Sequence, residues 1–443
     1  MKNSFFKIVT NYTDAVKYGL LSAIFIVLFS PFLMELTLDR VFNPLKGDVK
    51  SPENVEFDLD NWIEGSYQQK KEEHLNEVFG FRSVFVRTNN QIVYSLFNKA
   101  KANGVIVGKE NYLYELDYIN AYAGNDYIGD DSVSHSIGRL KFISDTLNKI
   151  GKQLVVVFAA GKASFYPEYI PDNYLPFKEK TNYKMLSSAA IKAGLNVIDF
   201  NKWFIENKQK SKHPLFPMYG IHWSSYAVNL VADSLVKKIG YLRGMVLPTI
   251  KITDIKMAQP FDSDYDIGDG MNLLFVNKSF DMAYPKISFE NVDKVNKPKV
   301  LVISDSFYWG MYNMGISNCF ANDHFWYYNR QVYPQKDGIE KFTDQENIKN
   351  TIENHDVIVI MATEATLKNM SWGFAERLEN YFKGNDVSTV GSAQYYKKVK
   401  DFVEYIKNDK KWLEDTRVRA EKKGISVDSA LVLEAIWQID NEK

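Results

Sequence analysis

The sequence predicts an α/β fold: a three-layer domain with a parallel sheet, an N-terminal single transmembrane helix and a C-terminal helical extension. Short apolar runs rich in β-branched residues alternate with stretches of helical periodicity in the middle of the chain, which is typical of a parallel sheet covered by helices. One long uncharged run lies near the N-terminus, and helical spacing without strand-like runs returns at the end. Together these observations predict an anchor, a folded middle and a helical tail.

Length and composition limit the possible function classes. The chain has 443 residues, which at about 150 residues per domain suggests two or three folded units. Its 54 basic residues balance 55 acidic ones to a net charge of −1, so it lacks the overall basic field of a nucleic-acid binder. The single cysteine, Cys319, excludes an intrachain disulfide framework and a Cys-rich metal site. No metal and no cofactor are predicted.

The N-terminal run from Tyr18 to Met34 contains 17 residues without a charge. As a helix it would span about 26 Å, and flanking leucines can extend it towards the roughly 30 Å of a hydrocarbon core. Three lysines against Asp14 precede it, a positive flank that favours the cytoplasmic side. Because no small-residue cleavage site follows, a signal anchor at residues 18–38 is favoured over a cleaved signal peptide or a buried helix. Residues 1–17 would then be cytoplasmic.

The part after the anchor is predicted to start with a stalk and then fold. Residues 39–60 are polar and contain two prolines, as expected of a stalk. The folded domain is predicted at residues 61–390, and it begins with helical spacing. Two β-like runs then flank a turn between Gly104 and Glu115, and a helical pattern runs from Ser134 to Ile150.

Four apolar runs predict the strands of the sheet. They are apolar on both faces and separated by helical stretches, which indicates parallel strands buried between two helical layers. The runs are Leu154 to Ala160, Asn196 to Phe200, Lys299 to Ser306 and Asp356 to Glu364.

Residues 391–443 are predicted to form the helical extension, which could be a docking arm for a partner. Its predicted elements are helices at Tyr395 to Ile406 and Lys411 to Lys423, a stop at Gly424, an N-cap at Ser426 and a last helix through Trp437. Elsewhere, the aspartate-rich segment from Asp262 to Asp269 departs from the Ca²⁺-loop pattern, which needs Gly at position six and Glu at twelve. That segment is predicted to be a solvated loop.

The end of the third strand carries the best candidate nucleophile. Ser304, Asp305 and Ser306 follow an apolar run directly and precede a helical stretch. A serine on such a turn projects its hydroxyl from the open edge of the sheet, where backbone N–H groups can polarise a carbonyl oxygen. The competing interpretation is that these residues only cap the following helix.

His222 is the candidate general base. It lies in the segment from Gly220 to Ser225 and is one of six histidines. A neutral histidine can take the proton of a serine and return it to a leaving group. Alternatively, His222 is a packed residue beside Trp223.

Other side chains follow the strands or flank these two motifs, and they could border a cleft. Their aromatic rings could stack on sugars or pack in the core. The candidates are Lys162, Tyr166, Glu168, Trp223, Tyr308, Trp309 and Glu364.

Several motifs in order resemble the alginate O-acetyltransferase family of the AlgJ and AlgX type. They are the N-terminal anchor, VIVGKENYLYE, VVVFAAGKASFYPEYIP, a His-Trp-Ser block and a strand that ends in SDSF. Members of this family are permuted SGNH-hydrolase-like domains, also called DHHW proteins, and the histidine block precedes the serine. The likeness covers about residues 60–390.

The resemblance implies roles for individual residues. The family's nucleophile maps onto Ser306, preceded by Asp305 and by Ser304 in the usual glycine's place, and these turn residues would border the oxyanion. The family's base maps onto His222. The family's aspartate should lie two residues before that histidine, where this chain has Gly220.

The missing aspartate leaves three alternatives. Asp199, Glu168 or a backbone carbonyl could orient His222 instead. The enzyme could also work as a Ser–His dyad, at a cost in turnover of about 10⁴. In the third alternative, the domain has lost its chemistry and only binds glycan.

The resemblance implies acetyl transfer to a polysaccharide hydroxyl outside the cytoplasmic (inner) membrane, with the single-pass ectodomain in the periplasm or extracytoplasmic space of a bacterial cell envelope. A multi-spanning membrane acyltransferase would supply the acetyl group. Water as acceptor would make the protein an acetylesterase. The alternative function is a catalytically degenerate glycan-binding or assembly protein of an envelope polysaccharide system.

Overall fold

The structure is a computed structural model of the chain. It describes residues 14, 16–30, 44–47, 55–78, 81–174, 177–275, 278, 280–322, 324–335, 340–384 and 393–423, and single positions between 427 and 438. The chain divides into two compact units. The first comprises Met1–Val107 with Asp266–Lys278, and the second comprises Gly108–Tyr265 with Ser279–Lys443.

The first unit is mainly helical in its described part. Asp58 caps its first helix by accepting a hydrogen bond from the Asn61 N–H, and Gly65 ends that helix with φ of +87°, a conformation that favours glycine. Asn90 donates to the Met271 carbonyl at 2.9 Å. The elements of this unit are α1 (Leu59–Glu64), α2 (Ser66–Val78), α3 (Arg82–Phe97), β1 (Val105–Val107) and a short helix at Asp266–Gly270.

The predicted anchor at residues 18–38 is described only as far as residue 30, and residues 16–30 are helical. Residues 31–38 and most of the predicted stalk lie outside the described residues. Within the described residues, none of the helices combines the length and the apolar character that spanning a bilayer requires. The anchor therefore stays a prediction.

The second unit is built on a six-stranded sheet in the order β4-β3-β10-β7-β8-β9. Five neighbouring strands are parallel, and four of them are the predicted runs, whereas β8 was not predicted. Strand β9 runs antiparallel to β8, so the expectation of a parallel sheet is wrong at this edge. The cause is a tight hairpin, because Tyr328 and Asn329 both have positive φ. The strands are β3 (Gln153–Phe158), β4 (Asn196–Asp199), β7 (Val300–Ser304), β8 (His324–Tyr327), β9 (Gln331–Tyr333) and β10 (Val357–Ala362).

Both faces of the sheet are buried, which makes the domain three-layered. On one face Val156 and Ile360 belong to a core that includes Leu140 and Ile143 of a long helix. On the other face the alternate residues, such as Val155, are also fully buried. The remaining elements of this unit up to β10 are β2 (Leu113–Glu115), α4 (Leu116–Ala123), α5 (Asp130–Lys149), α6 (Lys162–Phe165), α7 (Asn182–Lys192), α8 (Phe200–Asn207), α9 (Ser225–Arg243), α10 (Tyr308–Asn313) and α11 (Ile348–Glu353).

An antiparallel ribbon and three helices complete the second unit. The ribbon pairs β5 (Thr249–Ala258) with β6 (Met282–Glu290) and was not predicted. The helices are α12 (Phe374–Phe382), α13 (Ala393–Asn408) and α14 (Lys410–Lys423), and the last two match the predicted start of the extension. Val399, Val403 and Ile406 of α13 form a small core with Leu431 and Ala435. The predicted stop at Gly424 and cap at Ser426 lie outside the described residues.

Candidate active site

Ser306 lies on the turn between β7 and α10, at the carboxyl edge of the sheet. β7 ends at Ser304, and the N–H of Trp309 donates to the Ser306 carbonyl at 3.1 Å as the helix begins. Ser306 is half-buried, whereas the two residues before it are buried. The hydroxyl therefore stands at the edge where open α/β sheets bind their ligands.

Asp305 fixes this turn. Its Oδ1 accepts the Phe307 N–H at 3.1 Å. Its Oδ2 accepts the Thr363 N–H at 2.9 Å and the hydroxyls of Thr363 and Thr366 at 2.8 and 2.7 Å. The carboxylate thus ties the end of β7 to the loop after β10. Ser304 is fully buried and points into the protein rather than the cleft.

His222 meets this serine from a segment 84 residues earlier in the chain, and its Nε2 lies 2.9 Å from Ser306 Oγ. Ser224 anchors the segment, because its hydroxyl donates to the Pro214 carbonyl at 2.7 Å and accepts the Ala227 N–H at the start of α9. The imidazole also packs on Phe307, with ring centroids 4.8 Å apart. The structure therefore brings together the two residues predicted to carry the chemistry.

Lys162 stabilises the backbone of the segment that carries His222. The side chain is fully buried, and its ammonium donates to the carbonyls of Met218 at 2.8 Å and Gly220 at 2.7 Å. A buried ammonium is stable only where such acceptors replace water. Lys162 was predicted to border a cleft, but in the structure it holds the backbone that leads to His222.

A cavity of about 560 Å³ opens at the Ser306–His222 pair. Its lining mixes polar and apolar side chains, as is usual for sites that bind organic ligands. Besides the pair, the lining includes Trp309, Asn313, Met314, Tyr284, Asp262 and Ser263.

The Tyr328 hydroxyl lies beside the Ser306 side chain, and sequence reasoning did not identify it. Burial raises the pKa of Tyr328, and the nearby Asp305 and Tyr327 raise it further. The phenol therefore remains protonated at neutral pH and can donate a hydrogen bond. The positive φ of Tyr328 in the β8–β9 hairpin aims it at this place. An isolated tyrosine after an aromatic strand offers no sequence signal for that position.

The two acids predicted to orient His222, Asp199 and Glu168, interact with other groups in the structure. Asp199 caps α8 by accepting the Lys202 N–H at 2.9 Å, and it accepts the Tyr183 hydroxyl at 3.0 Å. Glu168 pairs with the Lys208 ammonium at 2.5 Å.

Glu364 belongs to a buried polar cluster at the ends of β3 and β10. It accepts the Ser164 hydroxyl at 2.6 Å and the Asn201 amide at 3.0 Å. Burial raises its pKa to about 7. Gly161 packs closely on this carboxylate: a Cβ at position 161 would lie 1.9 Å from Glu364 Oε2, so any larger residue would displace the Glu364 side chain.

The predicted aromatic cleft residues differ in exposure. Trp309 and Trp223 line the cavity, although Trp223 is 1% exposed and packs on Phe307. Tyr308 is buried against Phe325. Tyr166 is half-buried in a cluster with Tyr112 and Tyr169.

The aspartate-rich segment was predicted to be a solvated loop, and this is wrong for Asp264. That residue is fully buried in a turn of 3₁₀ helix at Asp262–Asp264, whereas Asp262 lines the cavity.

Comparison with known proteins identifies relatives. Residues 105–253 match the model of the family described as "SGNH hydrolase-like domain, acetyltransferase AlgX". A curated relative, the "Probable alginate O-acetylase AlgJ" of Pseudomonas putida, is 21% identical over 205 residues, which cover 46% of this chain and 51% of that protein. The chain therefore spans about half the length of the curated relative it matches.

Similar solved structures include the O-acetyltransferase domain of Pseudomonas putida AlgJ, with 16% identity and a TM-score of 0.40 over 63% of this chain and 99% of that one. Pseudomonas aeruginosa AlgX has 14% identity and a TM-score of 0.34, over 58% and 54% of the two chains. Bacillus cereus PatB1 has 11% identity and a TM-score of 0.34, over 54% and 90%. The family match over residues 105–253 confirms the resemblance predicted from the motifs: this part of the chain is similar to the SGNH hydrolase-like domain of AlgX-type acetyltransferases.

Proposed function

We propose that this protein transfers an acetyl group to a hydroxyl of an exported polysaccharide, through an acyl-enzyme on Ser306. The observation that carries the proposal is the 2.9 Å contact between His222 Nε2 and Ser306 Oγ beside an open cavity. A histidine at this distance can act as a general base towards the serine. The curated relative is named as an alginate O-acetylase, which supports a polysaccharide acceptor.

The first half-reaction would form the acyl-enzyme. Ser306 Oγ attacks the carbonyl carbon of the donor acetyl ester while His222 takes the serine proton. The carbonyl oxygen becomes an oxyanion, and the tetrahedral intermediate then collapses. The donor alcohol leaves with the proton from His222, and acetyl-Ser306 remains.

The second half-reaction would transfer the acetyl group. His222 takes the proton of a sugar hydroxyl, whose oxygen attacks the acetyl carbonyl, and the proton returns to Ser306 as the ester to the sugar forms. Water in place of the sugar yields acetate, which is the esterase reaction. The site therefore favours the transferase only if the acceptor sugar excludes water from the cavity.

Two kinds of donor could hold the oxyanion. One is the backbone N–H of Ser306 itself, because the N–H groups of Phe307 and Trp309 already donate to Asp305 Oδ1 and to the Ser306 carbonyl. The other is the protonated Tyr328 hydroxyl, which lies next to Ser306. Such donors stabilise charge that develops only in the transition state. Trp309, in the cavity wall, could stack on a sugar ring.

The cellular setting belongs to the same proposal. The predicted anchor would hold the domain at the outer side of the cytoplasmic membrane, and a multi-spanning acyltransferase would deliver the acetyl group there. The alternative, a non-catalytic glycan-binding or assembly protein, was motivated by Gly220. The close Ser306–His222 contact favours the enzyme.

Ser306→Ala in the full-length protein tests the proposal. We expect the hydrolysis of a chromogenic acetyl ester to fall to background, because the proposed acyl-enzyme forms on the Ser306 hydroxyl. A serine-reactive phosphonate should add its mass to the peptide containing Ser306. Ser234→Ala, on the exposed side of α9, is the matched control and should retain full activity. Unchanged hydrolysis in Ser306→Ala, with no labelling of the native protein, would leave the glycan-binding alternative.

A further inference from the structure

Gly220 stands where the family's aspartate is expected, and another part of the chain occupies the space of that side chain. A Cβ at position 220 would lie 2.3 Å from the Ser263 carbonyl oxygen and 3.0 Å from the Asp264 carbonyl carbon. The first distance is far below normal contact and the second is tight, and both atoms belong to backbone, which cannot rotate away as a side chain can. The turn at Asp262–Asp264 therefore excludes any side chain at position 220.

This turn brings a carboxylate of its own. Asp264 is fully buried, and a buried carboxylate requires hydrogen-bond donors or a positive partner. Its Oδ1 accepts the Ser225 N–H at 3.2 Å, and its Oδ2 accepts the Ser225 hydroxyl at 3.0 Å. Ser225 is the first residue of α9 and lies three residues after His222. The carboxylate is thus bound to the short segment that carries the histidine.

A helix N-terminus and a tyrosine hydroxyl lie around Asp264. The N-terminus of α9, a helix of 19 residues, places its positive dipole end at the carboxylate. The Tyr284 hydroxyl also hydrogen-bonds with Asp264, and its pKa is raised by burial and by the charge of this carboxylate. Asp262 and Ser263 from the same turn share the cavity wall with His222. The turn that carries Asp264 therefore adjoins the imidazole.

From these contacts we infer that Asp264 is the residue that orients His222, in place of the aspartate missing at position 220. This inference rests on the proposed function. Since Nε2 faces Ser306, the proton of the neutral imidazole must sit on Nδ1. A carboxylate on that side holds this tautomer and stabilises the imidazolium that forms during acyl transfer. Asp264 acts through His222 and is a positioning residue.

Two other buried acids near the sheet edge, Asp305 and Glu364, accept hydrogen bonds from other groups. Asp305 binds the loop after β10, and Glu364 binds Ser164 and Asn201. In the family's pattern the aspartate lies two residues before the histidine, whereas Asp264 lies 42 residues after His222. The turn that carries Asp264 also fills the space that a side chain at position 220 would need.

The test combines Asp264→Asn with two readouts. The first is ester hydrolysis, for which we expect kcat to fall by about 10³- to 10⁴-fold with little change in KM, because the wrong imidazole tautomer becomes available. The second is the pH dependence with which diethyl pyrocarbonate modifies His222, followed by mass spectrometry. Losing the neighbouring negative charge should lower the pKa of His222 by at least about one unit.

Asp254→Asn is the matched control, since it removes an exposed carboxylate of β5; it should leave kcat within about threefold and the His222 pKa in place. Ser225→Ala, which removes one donor to Asp264, should give a smaller effect in the same direction and guards against a folding defect in Asp264→Asn. An unchanged His222 pKa in Asp264→Asn would overturn the inference. A lowered His222 pKa in a protein that shows no Ser306-dependent hydrolysis would uphold the pairing and reject the proposed function.

Discussion

The hydroxyl of Ser306 lies between an imidazole that can remove its proton and a phenol that can stabilise the resulting charge. His222 is held by its segment and by Phe307, whereas Tyr328 is placed by the hairpin that reverses the sheet edge. Because burial keeps Tyr328 protonated, its hydroxyl can donate to an oxyanion in a cavity where water competes weakly.

Tyr328→Phe tests this role of the phenol. We expect kcat for ester hydrolysis to fall by about 10²-fold with KM nearly unchanged, because one oxyanion donor is lost only in the transition state. Steady-state kinetics with a chromogenic ester measures both constants. Tyr241→Phe, at a residue 81% exposed, should match the native enzyme. A rise in KM at constant kcat would instead assign Tyr328 to ground-state binding.

At the scale of elements, the ends of β3 and β10 are joined by the buried cluster of Glu364, Ser164 and Asn201. Burial raises the pKa of Glu364 from 4.5 to about 7, so the folded protein binds this proton more tightly than the unfolded chain. The unfolded state then binds fewer protons between about pH 4.5 and 7, and the free energy of unfolding falls as the pH rises through that window. Above pH 7, where the buried Glu364 is ionised, the free energy of unfolding is lower by about 3 kcal/mol than at low pH on account of this group.

Glu364→Gln should remove this pH dependence. The amide oxygen can still accept from Ser164 and Asn201, but it does not ionise. Urea unfolding at pH 5 and pH 8 measures the free energy of unfolding, and we expect the drop between these values to shrink by up to about 3 kcal/mol in the variant. Glu353→Gln, on an exposed part of α11, serves as control. Equal drops in native and Glu364→Gln protein would show that the carboxyl is ionised throughout.

How well each element could be predicted depended on what buries it. The runs that became β3, β7 and β10 are apolar on both faces because helices cover both sides, and this leaves a clear pattern in the sequence. The ribbon strand β5 alternates polar and apolar residues and is mostly exposed, so it lacks the continuous apolar run by which the buried strands were predicted. Strand β8 is aromatic rather than β-branched, and its hairpin depends on the positive φ of Tyr328 and Asn329.

The residues of the candidate site also differ in how well the sequence could predict them. Ser306 and His222 could be predicted because each lies in a local motif, and the order of these motifs resembles that of a known family. Asp264 could not, because its burial arises from a turn that packs on Gly220, and that contact joins parts of the chain distant in sequence. An aspartate-rich segment looks solvated unless tertiary structure covers one of its carboxylates.

At the scale of the whole molecule, the apolar run from Tyr18 to Met34 is the feature that would decide where the chemistry takes place. Deleting residues 1–38 should move the protein from the membrane to the soluble fraction of the cell, because the run of 17 uncharged residues is then no longer available to the bilayer. Fractionation followed by immunoblotting measures this. The purified truncated protein should still hydrolyse the chromogenic ester, while acetylation of the glycan in cells should fall.

Replacing the three lysines that precede the run with glutamate, in the full-length protein, is the matched control for orientation. This change keeps the apolar length but removes the positive flank, so we expect membrane association to persist while protease protection of the domain changes. Full-length protein in the soluble fraction would contradict the anchor. Acetylation of the glycan at native levels by the truncated protein would show that the domain acts without being held at the membrane.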